Sequence, residues 1–235
     1  MIANLLDRVR APSRLTDSHL PEQLSFLQLR ENFRCFIELF ASGRDVPAAH
    51  LCRALFEESA RWSWVDDDRE NRRAAFVVEA ARAHGLIVKA AERQGIDPTP
   101  LFGEIASQVL AAAESETVRF PTRFEDLFDW TPPGLQEMLY LQYRVLSQYT
   151  HSSLLSAGSS TVIGDGQMIN KEQLPSASRL LIIRSACGSA AFVLDFCKDG
   201  LEWPSNPLEP PLNLVLAGIA ARVADTVYPF SPGSA

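Results

Sequence analysis

The residues best able to do chemistry lie in the stretch YLQYRVLSQYTHSS, residues 140–153, where an Arg, a His, hydroxyls and tyrosines recur at helical spacing. At about 100° per residue, Arg144 and His151 are nearly eclipsed on a helix, and Tyr140 and Ser147 fall within roughly 60° of them. A helix therefore presents these four as one stripe. A second stripe, His50, Arg53, Glu57 and Trp64, recurs at the same spacing earlier in the chain. Arg53 and Glu57 are i and i+4, the spacing of an ordinary intrahelical ion pair. Leu51, Leu55, Phe56 and Trp62 surround them, so the pair is also readable as buried, and a buried pair needs further hydrogen-bonding partners. If the two stripes face each other, Glu57 orients or charges His151 and Arg144 grips a phosphate with its planar fork of donors. Ser147 and Tyr140 then supply hydroxyls, with Tyr143 and Arg53 as further binding residues. That set fits general acid–base chemistry at a phosphodiester: imidazole moves a proton and guanidinium stabilises charge on the phosphorus oxygens, with no metal or cofactor required. The other reading of the same residues is a satisfied polar network between packed helices. In that case the chain is a non-catalytic interaction module, or a small-molecule sensor with an aromatic-lined pocket at Tyr140, Tyr143 and Trp64.

Other chemistries find no pattern. There is no H-E-x-x-H, no zinc-ligand spacing and no dinucleotide G-x-G-x-x-G, and Gly164 and Gly166 lack the rest of a phosphate loop. Ser147 sits in mid-helix, without the strand-turn-helix context of a hydrolase nucleophile. Asp66, Asp67 and Asp68 lack the glycine and distal Glu of a calcium loop, so they read as a solvated connector rather than metal ligands. Cys35, Cys52, Cys187 and Cys197 form no C-x-x-C pair and lie among apolar residues, which suits small buried side chains in a reducing cytoplasm.

These side chains must be positioned by the rest of the chain, which has 235 residues, 46% hydrophobic and 22% charged, with a formal net charge of -7. Those values suit a soluble globular protein, and the acidic balance argues against a general nucleic-acid coat while leaving room for a local basic pocket. The N-terminal segment lacks the order of a signal peptide. The longest apolar run, residues 212–221, is half of the about 20 residues that a bilayer span needs, so it reads as a buried helix, with no membrane contact expected.

Apolar periodicity predicts helices over residues 21–41, 45–65, 69–94 and 100–116, the first stopped by Gly43 and the third by Gly95. Thr122 and Glu125 have capping-box spacing, which predicts a short helix over 123–128. The central helix begins at Thr131-Pro132-Pro133 and runs to about residue 157, and the polar stretch after it reads as a flexible loop or small hairpin. Helices over 177–198 and 211–228 follow. No repeat or clean linker divides the chain, so the expected organisation is an N-terminal segment at 1–20, one all-α helical-bundle domain at 21–228 and a tail at 229–235.

The pairing of RALFEESARW (53–62) with YRVLSQYTHSS (143–153) resembles a group of uncharacterised bacterial all-helical proteins. Their signature is an early R-x-x-x-E helix and a later Y-x-x-x-S-x-x-x-H helix. That group is similar to the HEPN superfamily, many of whose members are metal-independent ribonucleases of toxin, CRISPR and phage-defence systems with an R-x(4–6)-H motif. The resemblance implies an HEPN-like fold, with Arg144 and His151 as the ribonuclease pair and Glu57 as the acidic partner that some members add. Val145 departs from the pattern, because catalytic members usually place a polar residue directly after the Arg, and inactive members that only bind or pair are also common. The resemblance further implies a homodimer that sets two motifs across a two-fold axis, since a single Arg–His pair has few donors for a phosphodiester. The apolar surplus expected for that interface lies at 180–183 and 214–221.

Overall fold

The computed structural model describes residues 20–97, 118–150, 161–164, 167–170 and 174–198. In chain order these form α1 (Leu20–Ala41), α2 (Asp45–Asp67), α3 (Arg69–Arg93), a 3-10 helix (Phe124–Phe128), α4 (Pro133–Thr150), strands β1 (Thr161–Gly164) and β2 (Gln167–Asn170), and α5 (Ser176–Cys197). The described residues are thus mostly helical, as the periodicity predicts, and they include an antiparallel hairpin in which Thr161 faces Asn170 and Gly164 faces Gln167. The chain divides into two compact units, one reaching Ser59 and resuming at Glu137, the other Ala60–Gln136. Helices α2 and α4 contribute to both.

In the first unit, α1 buries Phe26, Leu29, Phe33 and Phe36, each at 1% exposure or less and each three or four residues from the next. Burying a side chain of this size contributes about 2 kcal/mol. The helix stops at Gly43, whose φ of 76° suits a residue without Cβ. There the Gly43 N–H donates to Phe40 O at 3.2 Å and the Arg44 N–H to Leu39 O at 2.9 Å, the paired bonds of a Schellman stop. Asp45 then opens α2 with a buried carboxylate, favoured at a helix N-terminus by the backbone dipole. Its Oδ2 accepts from the Leu174 N–H at 2.7 Å, and Arg179 Nε lies 3.4 Å from Oδ1. Arg179 also covers the Phe40 ring at 4.7 Å and donates to Phe40 O at 3.3 Å. One carboxylate therefore joins the start of α2 to the start of α5.

Helix α5 carries small residues, Ser185, Ala186, Ser189 and Ala190, among its buried positions. They allow polar bonds at close range. The Cys52 thiol donates to Ile182 O at 3.2 Å, and Ser59 Oγ lies 3.2 Å from Ser189 Oγ. Both steps are seven residues, so α5 and α2 run parallel. Gln142 Nε2 of α4 donates to Ser185 Oγ at 2.6 Å. The helix is long and apolar enough to cross a membrane by composition alone, but its buried residues are accounted for by this packing. Of the apolar group expected to serve a dimer, Ile182 is fully buried and Leu180, Leu181 and Ile183 are half-buried.

Cys52, Cys187 and Cys197 are buried, whereas Cys35 is exposed, contrary to the uniform burial expected from its apolar neighbours. Cys35 follows Arg34 on the solvent side of α1, away from the Phe33–Phe36 face. Burial pushes the Cys52 thiol well above the usual thiol range and the Cys187 thiol up to about 11. A thiol-specific reagent near neutral pH should consequently label one of the four cysteines in the folded protein and all four in denaturant. Fast labelling of Cys52 or Cys187 in the native state would contradict this packing.

The second unit is built on aromatic rings. Trp62 meets Phe76 of α3 at 4.7 Å between centroids, and Phe120 meets Trp64 at 5.1 Å and Phe76 at 6.0 Å. Arg72 stacks on Trp64 at 4.9 Å, donates to Trp64 O at 2.9 Å and pairs with Asp67 at 2.8 Å. Asp68 accepts from Asn71, so two of the three adjacent aspartates serve the α2–α3 turn. Gly95, at φ 69°, ends α3 with the same stop as Gly43: the Ile96 N–H donates to Ala91 O at 3.0 Å. The expected capping box does not form. The 3-10 helix starts after Arg123 without a side-chain cap, and Glu125 pairs with the Arg123 guanidinium instead. An ion pair two residues apart holds the Glu125 side chain in place of the cap.

The expected N-terminal piece at 1–19, the helix over 100–116, the end of the central helix after Thr150, the helix over 211–228 and the tail lie outside the described residues. His151 does too.

Candidate functional site

Among the described residues, the line of α4 that meets Arg53 of α2 is Tyr143–Thr150, next to the polar stripe, whose member His151 lies outside the described residues. Arg53 is the hub. Its Nε donates to Glu57 Oε1 at 2.8 Å, its Nη1 to Thr150 Oγ1 at 2.5 Å and its Nη2 to the Tyr143 phenol oxygen at 3.1 Å. The guanidinium carbon also lies 5.2 Å from the Tyr143 ring centroid, within cation–π range. Arg53 and Glu57 retain 20% and 28% side-chain exposure, so the pair is neither free in solvent nor sealed in the core. Such charge-assisted bonds are stronger and more directional than neutral ones.

Thr150 uses its hydroxyl both ways, accepting from Arg53 and donating to Ser147 O at 2.9 Å. One turn earlier on α2, His50 Nε2 lies 2.7 Å from Tyr149 O. A carbonyl only accepts, so Nε2 carries the hydrogen. Side chains three residues apart on one helix thus hold two successive residues on another.

The predicted site residues separate accordingly. Arg53, Glu57 and Tyr143 come together. Ser147 is 7% exposed and donates its hydroxyl to its own helix at Tyr143 O, 2.8 Å away, so its proton is already committed. Tyr140 is half-buried, with its ring centroid 6.4 Å from that of Tyr143. Arg144 is exposed and makes no ion pair among the described residues. Its direction is about 100° round the helix from Tyr143, at the margin of the seam rather than in it. The Glu57–His151 and Arg144–His151 relations involve His151 and so lie outside the described residues. Trp64 belongs to the other unit, where its ring carries Arg72 and Phe120.

Two participants were not assigned roles from the sequence, Thr150 and His50. The signal for Thr150 was present, because Tyr143 and Thr150 are seven residues apart and share a face. Among the described residues no three His, Cys, Asp or Glu side chains converge to hold a metal ion. Compared with known proteins, the chain matches no family model, no curated protein and no solved structure.

Proposed function

We propose that this chain is an HEPN-like helical protein that acts on RNA or a nucleotide as a metal-independent endoribonuclease of the toxin or phage-defence type. Arg144 and His151 form its chemical pair. The observation that carries the reading is the grip of α2 on the end of α4. His50 and Arg53 secure Tyr149 and Thr150, the two residues directly before His151, while Arg144 keeps its guanidinium in solvent on the same helix. In the reaction the His151 imidazole removes the proton of a ribose 2′-hydroxyl, and the 2′-oxygen attacks phosphorus. The 5′-oxygen leaves with a proton from water or a second imidazole, giving a 2′,3′-cyclic phosphate. Arg144 balances the charge that builds on the nonbridging oxygens. Glu57 acts at one remove, through Arg53.

A homodimer in the cytoplasm, free of membrane, completes the proposal, since a second copy adds the donors that one Arg–His pair lacks. The first unit offers Met138 and Leu141 of α4, 56% and 63% exposed and within two turns of Arg144, as apolar surface for it. Light scattering should give a mass near twice 26.0 kDa.

A specific observation favours a second reading, a non-catalytic interaction module: Arg53 and Ser147 both direct their polar groups to protein partners. Induced expression separates the two. The ribonuclease arrests growth with fragmented cellular RNA, and His151→Ala restores both. Equal growth and intact RNA with either chain favour the module.

A further inference from the structure

We infer that His50 and Arg53 are positioning residues, a two-point clamp from α2 that fixes the Tyr149–Thr150 turn of α4, directly before His151 in the chain. The catalytic consequence rests on the reading of His151 given above; the clamp itself rests on described contacts. The two bonds are of different kinds. His50 holds a backbone carbonyl and Arg53 holds a side-chain hydroxyl. The Tyr149 carbonyl points along the helix axis and the Thr150 side chain outward from it, so the bonds arrive from different directions. One bond would leave the turn free to rotate about it, whereas two remove that freedom.

The clamp is itself braced. Glu57 holds Arg53 Nε, and that orients the fork so that Nη1 and Nη2 reach Thr150 and Tyr143 together. The Thr150 hydroxyl is turned by its bond to Ser147 O, which leaves a lone pair for Arg53. His50 is exposed, so core packing does not explain its placement; the 2.7 Å bond is what engages the ring. Glu57 thereby acquires a task that its sequence position does not suggest: it orients the clamp.

The test uses the full chain, with peptide-resolved hydrogen exchange and cleavage of a single-stranded RNA oligonucleotide read side by side. His50→Ala should raise amide exchange at residues 149–151 by about tenfold or more while α1 and α5 stay as in the wild type. The same variant should lower kcat about 10- to 100-fold with KM unchanged, because a displacement of about 1 Å has that effect on a positioned group. His50→Gln, whose amide N–H can reach the carbonyl, should recover part of both. Arg53→Lys, which keeps the charge and loses the fork, should fall between wild type and His50→Ala. Wild-type exchange at 149–151 in His50→Ala overturns the clamp. So does a raised KM with unchanged kcat, which would make His50 a substrate contact. Raised exchange in His50→Ala, with no RNA cleavage by the wild type, supports the clamp and overturns only the ribonuclease reading.

Discussion

Arg144→Ala and His151→Ala are each expected to reduce RNA cleavage by about a thousandfold or more, the scale associated with losing a charge-stabilising or proton-transferring group. The fold should be indifferent to the first change, because Arg144 is exposed and pairs with nothing among the described residues. Circular dichroism and Tm should therefore match the wild type while activity collapses. Arg144→Lys should keep only part of the activity, since an ammonium supplies charge without the planar fork that engages two oxygens. An ordinary imidazole titrates near ~6.5, and as a base it must be neutral. Cleavage should accordingly rise through that region as pH increases and lose this limb in His151→Ala. Cys187→Ala, a change at a buried thiol, should leave cleavage intact. Full cleavage by Arg144→Ala would remove the guanidinium from the mechanism.

Asp45→Ala should lower the unfolding free energy by about 2–3 kcal/mol, because it strips the acceptor from the buried Leu174 N–H and leaves Arg179 without its carboxylate. Arg179 is 25% exposed and can recover some hydration, which keeps the loss below that of a sealed pair. In urea the midpoint should fall by about 1–1.5 M with the slope unchanged, taking a slope of about 2 kcal/mol/M. Asp45→Asn retains an acceptor for Leu174 and should lose less. A midpoint equal to that of the wild type in Asp45→Ala would show that the α1–α2 and α5 starts are held together by other contacts.

Helix positions were legible wherever the signal is local. Gly43 and Gly95 each stop a helix by a backbone conformation that a glycine adopts without strain, and the sequence carries both stops openly. The Phe26–Phe36 face follows from apolar spacing alone. What depends on a distant partner was not legible. Asp45 reads as a helix opener, but its partners Leu174 and Arg179 are 129 and 134 residues away, and no local pattern points to them. The polar stretch after the central helix reads as a loop or a small hairpin alike, although its Asp-Gly pair at 165–166 is one that favours a two-residue turn.

At the site the limit was angular. A polar stripe was identified on the central helix, yet the line that faces α2 is Tyr143–Thr150, next to it. A helix wheel gives relative directions and does not say which direction is inward. Leu146 does: fully buried, it lies on the Tyr143–Thr150 side of α4 and away from Arg144. Charge type was read correctly as a reason for Arg53 and Glu57 to pair, while the choice of Thr150 as the third partner needed the packing of two helices.

The most direct test of the central claim is mass analysis of RNA ends after incubation with the purified full chain in EDTA. Fragments ending in 2′,3′-cyclic phosphate are expected with the wild type, and intact RNA with His151→Ala. Intact RNA with both, from protein that is folded and free of aggregation, would contradict it.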